Sequence, residues 1–338
     1  MKIYILNTLA IGLDTVDILQ KKIHLKGVVG LSNRESNEKI SDFVYQKPEC
    51  ERRKIDFTEI SSYDLSSKDD KRKLLNLEID VLIVAGWQRL IPKWLIDHCR
   101  ICAIGSHGSP LGITKGRGRS PQNWALLLGC SSFEVSIFEI DEGVDSGRII
   151  DTRSFEYTQY DTIRTSYYKV SLLTSEMIIK ALKSPDFRER KFLDQCEGNS
   201  EYLPQRKPKD GEIDWFRSSL EITNFIRAIS KPYPGAYTYL KKCKIKLWSA
   251  IPFSIDIESN CSPGEILKIF NKRDILVKTL DSFVLIDDFD FDSKEMVLEE
   301  GSIFSSCNFS EQMREIIYRH EKKHPNFPIS SSIIKYED

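Results

Sequence analysis

The stretch DVLIVAGWQRLIPKWLIDHCRICAIGSH, residues 80–107, contains two short apolar runs separated by a helical pattern. DVLIVAG (80–86) and ICAIGSH (101–107) each predict a buried strand, and Pro92 is placed to begin the short helix between them. Apolar strands joined through helices are typical of a parallel sheet that helices cover on both faces. This stretch therefore predicts a doubly wound α/β domain.

Strand and helix patterns alternate in the same way on both sides of this stretch. The further predicted elements are strands at 2–7 and 26–32, helices at 36–46, 120–129 and 162–183, and two strands within 135–155. In open α/β sheets, ligands bind beyond the carboxyl ends of the strands. Residues 86–90 and 105–109, each just after a predicted strand, are therefore candidate walls of a pocket.

The second half of the chain has a different pattern. Residues 183–211 are polar, contain proline and lack periodicity, which is typical of a linker, and several short strands with turn residues between them follow. Such strands indicate a small antiparallel β-barrel. The predicted organisation is a Rossmann-like domain at 1–204, a barrel domain at 205–300, and a helical or loose tail at 301–338.

Composition limits the classes of function. The 338 residues include 49 basic and 50 acidic side chains, so the near-zero net charge gives no general reason to expect a nucleic-acid partner. The chain has no apolar run of about 18 residues, and its first residues do not resemble a signal peptide. We expect a soluble cytoplasmic protein without a membrane partner.

Eight cysteines are scattered along the chain. Cys99 and Cys102 form a C-x-x-C pair, but no second pair with zinc spacing follows. We expect free thiols in a reducing compartment and no bound metal.

His107 and Asp145 are the first candidates for chemistry. His107 follows a predicted strand and lies among glycines and serines, while Asp145 lies in the acidic turn EIDEGVDSG. A histidine oriented by a carboxylate can act as a general acid or base. The residues alone leave two alternatives open, a histidine bonded to a backbone carbonyl and an acid that caps a turn.

A basic, glycine-rich loop follows His107. Lys115, Arg117 and Arg119 alternate with glycines and can neutralise an anion, although a flexible surface loop has the same pattern. The loop lacks the Ser or Thr after Gly-Lys of a Walker A motif, and no G-x-G-x-x-G follows the first strand, so nothing indicates ATP or NAD. Ser109 does not lie in a hydrolase elbow.

Together these motifs resemble the folate-dependent formyltransferases, a family that includes sugar N-formyltransferases and methionyl-tRNA formyltransferase. The resemblance rests on His-Gly-Ser at 107–109, GRGRSPQNW at 116–124, the segment 135–147 ending in Asp-Ser-Gly, and 206–250 with its Asp-Trp and Pro-aromatic-Pro turn. It covers roughly residues 1–290, in order. It implies a Rossmann-like catalytic domain followed by an OB-like barrel, and N10-formyltetrahydrofolate as the formyl donor.

The resemblance also implies roles for residues. His107 and Asp145 take the places of the catalytic histidine and aspartate. The cofactor-binding residues that it implies are Gln88, Arg89, Leu90, Asp141 and Asp145. The substrate-binding candidates beside the cleft are Ser109, Lys115, Arg117 and Arg119.

The sequence departs from the family pattern at Gly105. The family has asparagine two residues before the histidine, and the asparagine amide helps to hold the formyl oxygen as negative charge develops on it. Ser106, a protonated His107 or a backbone N–H would have to replace it, or activity is altered. The loop after His107 is also longer than usual by about two residues.

The sequence predicts transfer of a formyl group to the amine of a nucleotide-linked amino sugar, as in the biosynthesis of surface polysaccharides. Methionyl-tRNA formylation is the alternative in the same reaction class, although residues 206–338 lack the excess of basic residues that a tRNA partner favours. A non-catalytic binding protein with the folate-pocket fold is the other alternative, which Gly105 favours. The resemblance also implies a homodimer.

Overall fold

A computed structural model describes residues 1–34, 40, 42–195, 200–257, 259–292, 297–331 and 334. Its contacts divide the chain into two compact units. The first unit comprises Met1–Arg117, Glu134–Phe155 and Tyr167–Asn199, and the second comprises Gly118–Phe133, Glu156–Ser166 and Ser200–Asp338. The domain boundaries drawn from the sequence stay predictions.

Eight strands lie in the first part of the chain. They are β1 Ile3–Leu6, β2 Leu25–Leu31, β3 Asp56–Ile60, β4 Val81–Val84, β5 Cys102–Ser109, β6 Arg117–Gly118, β7 Ser132–Glu139 and β8 Ile149–Glu156. Seven of them form one sheet in the order β3-β2-β1-β4-β5-β7-β8. The first five in this order run parallel, whereas β7 pairs with β5 in the antiparallel sense.

Helices alternate with these strands. They are α1 Ala10–Gln20, α2 Gln46–Arg53, α3 Lys68–Leu75, α4 Lys93–Ile96, α5 Gly112–Lys115, α6 Pro121–Leu127, α7 Ile163–Lys183 and α8 Pro185–Arg188. Every residue of β1 is buried, and one cluster of the core includes Leu6, Val29, Leu82 and Ala103 from four parallel strands. Burial on both faces explains why these strands consist of continuous apolar runs.

Three elements were not predicted in their observed places. β3, with the sequence DFTEI, pairs with β2 at the edge of the sheet, and α3 buries only Asp70 and Leu74. Short amphipathic or polar elements carry little hydrophobic signal, which explains why both were missed. The helix predicted at 36–46 falls partly outside the described residues, and the described helix α2 begins only at Gln46.

The strand order reverses between β1 and β4, the topological switch of this sheet. Asn7, just past the end of β1, is fully buried there, with its side chain accepting from Leu9 N–H and donating to Gln46. Gly86 has a φ of 77°, and a Cβ on it would lie 2.1 Å from Asn7 Oδ1. The close approach of β1 and β4 at this point therefore requires glycine.

The second unit contains an antiparallel sheet. Its strands are β10 Ala236–Leu240, β11 Cys243–Phe253, β12 Ile266–Phe270, β13 Asp274–Lys278 and β14 Phe283–Phe291, and β9 Tyr202–Leu203 precedes them. The order in the sheet is β10-β11-β14-β13-β12. The predicted fold class, a Rossmann-like sheet followed by a separate antiparallel β domain, is confirmed.

Two helices accompany this sheet, α9 Ser219–Ala228 and α10 Phe309–Lys323. α9 begins with a capping box in which Ser218 and Glu221 bond each other's backbone N–H groups. α10 has Asn308 as its N-cap and lies within the tail at 301–338 that the sequence predicted to be helical or loose.

The stretch 183–211 is more structured than a linker. It contains α8, β9 and a short 3-10 helix at Pro208–Gly211. Because the stretch is polar, these short elements leave no apolar periodicity, and the sequence did not predict them. Among the helices of the described residues, none combines the length and the apolar character that crossing a bilayer requires.

Candidate functional site

The candidate site begins where β5 extends past its parallel neighbour. β5 pairs with β4 as far as Ile104, and Gly105–Ser109 continue along β7. Alternation along a strand places Gly105, His107 and Ser109 on one face. This face lies at the carboxyl end of the parallel strands, where the sheet topology predicts a ligand.

His107 and Asp145 lie together at this edge. His107 Nδ1 is 3.2 Å from Asp145 Oδ2, and the side chains are 9% and 26% exposed. The other ring nitrogen, Nε2, is 2.8 Å from the carbonyl oxygen of Gly116. Both arrangements that the sequence left open for the histidine, contact with an acid and contact with a backbone carbonyl, thus occur at once.

The two neighbours of the ring constrain its protons. A carboxylate oxygen and a carbonyl oxygen are both acceptors, and only the doubly protonated ring has a proton for each. To act as a base, the ring must be neutral with its proton on Nδ1, and Nε2 must separate from the Gly116 carbonyl before it receives a proton from a substrate.

The turn that carries Asp145 has an unusual backbone. Asp145 has a φ of 51°, in the left-handed region that few residues other than glycine adopt. Asp141, in contrast, is exposed and caps the turn, since its Oδ1 accepts from Gly143 N–H at 3.0 Å and from Ser146 Oγ at 2.7 Å. The bonds of Asp141 therefore hold the shape of the turn in which Asp145 lies.

Gln195 connects this turn to the loop after His107. Its Nε2 donates to the carbonyl oxygens of Asp145 at 2.9 Å and Gly147 at 2.6 Å. Its Oε1 accepts from Arg117 Nη2 at 2.8 Å. Gln195 belongs to the stretch that the sequence predicted as a linker, so no signal in the sequence pointed to it.

A cavity of about 560 Å³ lies beside this turn. Its lining includes Asp141, Gly147 and Gln195 together with a buried carboxylate, Glu139. Arg148 Nη2 lies 2.7 Å from Glu139 Oε2, and a second arginine bonds Oε1 of the same carboxylate. The wall of the cavity is thus a network of paired charges, and its size is in the range of small-molecule sites.

The segment Gln88–Leu90, predicted to bind the cofactor, is exposed. Gln88, Arg89 and Leu90 are all exposed, and Tyr63 Oη accepts from Gln88 N–H at 3.2 Å. Within the described part of the chain, the N–H groups of Arg89 and Leu90 have no hydrogen-bond acceptor. Two backbone donors are therefore available to a ligand.

The position of the missing asparagine is filled by other side chains. A Cβ on Gly105 would lie 2.9 Å from Phe138 Cζ and 3.0 Å from Ile140 Cγ1. Phe138 is the partner of Gly105 in the β5–β7 register and is 4% exposed. An asparagine does not fit here unless Phe138 moves. The phenylalanine at 138 therefore requires a glycine at 105.

The remaining predicted residues differ in their surroundings. Ser109 is fully buried, and its Oγ accepts from Leu111 N–H at 3.0 Å. Lys115 and Arg119 are exposed, and Arg119 lies in the second unit. Arg117 is only 4% exposed. The three cations therefore do not form one uniform basic patch.

The C-x-x-C cysteines lie in the core. Burial raises the pKa of Cys99 and of Cys102 to about 12, which keeps both thiols protonated and poor at binding metal. No cluster of three or more metal-ligating side chains occurs among the residues that the structure describes.

Comparisons with known proteins identify the family of the chain. Residues 13–182 match the family model described as formyl transferase, and residues 206–300 match the model of the formyl transferase C-terminal domain. Over 194 residues the chain is 31% identical to the bifunctional polymyxin resistance protein ArnA of Wigglesworthia glossinidia brevipalpis, covering 57% of this chain and 29% of that protein.

A second relative is the methionyl-tRNA formyltransferase of Streptococcus pneumoniae, 29% identical over 64% of this chain and 66% of that enzyme. The matches thus span less than two thirds of both relatives. The crystal structure of an N-formyltransferase from Helicobacter canadensis, in complex with folinic acid and dTDP-3-aminofucose, shares the fold with a TM-score of 0.58. It is 16% identical, over 86% of this chain and 100% of that one. With one family model on each half of its length, the chain belongs to the formyl transferase family.

Proposed function

We propose that the protein transfers a formyl group from N10-formyltetrahydrofolate to the amine of a nucleotide-linked amino sugar. The contact between His107 Nδ1 and Asp145 Oδ2, at 3.2 Å, is the observation that carries the proposal. It provides a general acid and base at the carboxyl edge of the sheet, beside a cavity of about 560 Å³.

The amine attacks only in its neutral form, so a base must take up the proton that it loses. His107 accepts this proton at Nε2 once that atom has separated from the Gly116 carbonyl, which lies 2.8 Å away. Asp145 fixes the ring orientation and stabilises its positive charge. His107 then returns a proton to the leaving nitrogen of the folate, so the ring is neutral again at the end.

The exposed segment of Gln88–Leu90 suits the folate. Its two backbone N–H groups without acceptors among the described residues match a heterocycle that is held by backbone hydrogen bonds. Asp141, which lines the cavity, is a further binding residue in this proposal. When bound, the folate supplies the formyl carbon, whose bond to N10 breaks as the bond to the sugar nitrogen forms.

Two considerations favour a sugar over tRNA as the acceptor. The Helicobacter enzyme of the same fold was crystallised with dTDP-3-aminofucose. The chain also has a net charge of −1, whereas tRNA binding relies on an excess of cations. The relative from Streptococcus pneumoniae keeps methionyl-tRNA formylation as the second candidate.

A homodimer and a cytoplasmic location belong to the proposal as well.

Incubation with N10-formyltetrahydrofolate and a panel of UDP-, dTDP- and GDP-linked amino sugars tests the proposal. We expect release of tetrahydrofolate, and a gain of 28 Da (roughly the mass of CO) in one sugar nucleotide by mass spectrometry. Charged initiator tRNA is assayed in parallel. Formylation of the tRNA with no turnover of any sugar would overturn the sugar assignment, and folate binding without any turnover would identify a binding protein.

A further inference from the structure

Gln195 is the most connected side chain next to the candidate catalytic pair. It makes three hydrogen bonds of 2.9 Å or less, to the carbonyl oxygens of Asp145 and Gly147 and to Arg117 Nη2. Thr114 Oγ1 makes a fourth, longer contact of 3.5 Å to Gln195 Oε1. One amide group thus joins the loop after His107 to the turn that carries Asp145.

The chemistry of this position requires an amide. A guanidinium only donates hydrogen bonds, so the oxygen of Gln195 must face Arg117. The NH₂ group then points to two carbonyl oxygens, which only accept. A carboxylate has no proton for these carbonyls, and an ammonium has no lone pair for Arg117. Among side chains of this length, glutamine alone satisfies all three partners.

The burial of Arg117 makes this bond stronger and more directional. Arg117 is 4% exposed, and its Nε is fully buried with no acceptor among the residues that the structure describes. No carboxylate among the described residues lies within ion-pair distance of it. The Gln195 amide oxygen accepts from this buried cation, and a charged donor fixes the orientation of the amide.

The NH₂ end of the Gln195 amide bonds Asp145, a residue with a strained backbone conformation. Asp145 has a φ of 51°, and its carbonyl accepts one of the two N–H groups of Gln195. A left-handed residue persists only where its surroundings hold it. Release of this carbonyl allows the turn to relax, which moves Oδ2 away from His107.

We infer that Gln195 is a positioning residue for the His107–Asp145 pair, and that Arg117 acts through it rather than on the substrate. The kinetic part of this inference rests on the proposed function. Gln195 bonds the backbone carbonyl of Asp145 and thereby holds the Asp145 carboxylate against His107 Nδ1. It does not itself contact the atoms that take part in the reaction. Arg117, which the sequence grouped with substrate-binding cations, sets the orientation of the amide instead.

Two variants separate the bonds of Gln195. Gln195→Met keeps the length of the side chain and removes every hydrogen bond, whereas Gln195→Glu keeps the bond to Arg117 and removes those to Asp145 and Gly147. We expect kcat to fall by about 100-fold in both variants, with KM changed less than about threefold, because misplacement of a catalytic group affects the chemical step. The matched control is Gln312→Met, because Gln312 also donates to a backbone carbonyl but lies in the second unit.

An unchanged kcat in both folded variants would overturn the inference. A fall in Gln195→Met alone would overturn it too, since the bonds to the turn would then be dispensable.

A second readout does not depend on any substrate. In ¹H NMR, the Nδ1 proton of His107 gives a downfield resonance where it faces Asp145, and His107→Asn assigns that resonance by its loss. We expect Gln195→Met and Gln195→Glu to shift it upfield or to lose it to exchange with water, and Gln312→Met to leave it in place. The same resonance in all of the Gln195 variants would overturn the inference. Inactivity of the parent enzyme with every acceptor would refute the proposed function while leaving this NMR test intact.

Discussion

Each unit contains an arginine with buried guanidinium atoms, Arg117 in the first and Arg206 in the second. The residues around each arginine determine its role. In the first unit, Arg117 is bound through the Gln195 amide to the turn of Asp145. In the second unit, the guanidinium of Arg206 lies over the rings of Trp124 and Phe225, at 5.3 and 5.1 Å from their centroids. The first belongs to a polar network that ends at a reactive pair, and the second to an aromatic core.

Electrostatics distinguish them further. Nη1 of Arg206 is fully buried although the residue as a whole is half-buried, and burial lowers its pKa to about 10. The Arg206 guanidinium donates a hydrogen bond to the backbone carbonyl oxygen of Asp210. Asp210 in turn bonds Arg319 at 2.6 Å. This network stabilises the second unit, and we expect its loss to affect folding, whereas loss of the Arg117 network affects catalysis.

The largest expected effect comes from the reactive pair itself. His107→Asn removes the group that moves the proton, so we expect kcat to fall by about 10²–10⁴-fold. Folate binding should be nearly unchanged, because the proposed pterin contacts are made by the backbone of Gln88–Leu90. Stopped-flow turnover and calorimetric titration with the folate measure the two quantities. Turnover equal to that of the parent would refute the role of His107.

Matched substitutions test the contrast between the arginines directly. Arg117→Met should lower kcat by about 10-fold or more through Gln195. We expect the free energy of unfolding to be unchanged or raised, since the described residues provide no carboxylate partner for this buried cation.

Arg206→Met should do the reverse. It loses two cation–π contacts, each worth about 0.5–2 kcal/mol, and we expect a lower Tm with an unchanged kcat per folded molecule. Urea unfolding monitored by circular dichroism gives the stabilities. The contrast fails if both variants lose stability to the same extent and neither changes kcat.

Gly105 tests whether the departure from the family pattern is built into the sheet. Gly105→Asn introduces a side chain 2.9 Å from the ring of Phe138, and overpacking of this kind costs about 1–3 kcal/mol. Combining it with Phe138→Ala should recover part of that loss. The control is Phe138→Ala alone, which measures the cost of removing the ring without the asparagine. A double variant that recovers none of the stability lost in Gly105→Asn would refute a packing origin.

The smallest effect concerns the thiols, which differ in their burial. Cys50, Cys99 and Cys102 of the first unit are buried, and burial raises the pKa of each thiol. Cys243 and Cys261 of the second unit are half-buried. In a Cys196→Ser background, native labelling with iodoacetamide followed by peptide mass spectrometry should modify the second set and spare the first. Rapid modification of Cys99 would contradict the described core.

The sequence predicted the parallel sheet because its strands are buried on both faces and are therefore continuous apolar runs, as at 80–86. It predicted His107 as a candidate because a histidine among glycines and serines directly after a strand departs from that pattern, and Asp145 because it lies in an acidic turn. It missed β3 and α3, since an edge strand and a polar helix bury too little apolar surface to leave a periodic signal.

The sequence by itself therefore determined the fold class, the family resemblance and the unusual glycine at 105. Only the tertiary structure decided that Phe138 fills the space beside that glycine, that Gly116 faces Nε2 of His107, and that Gln195 joins Arg117 to Asp145. The physical reason is how far apart in the sequence the interacting residues lie. Periodicity and turn chemistry are local in sequence, whereas the hydrogen bonds of Gln195 join residues 48 to 78 positions apart and depend on how the whole sheet folds.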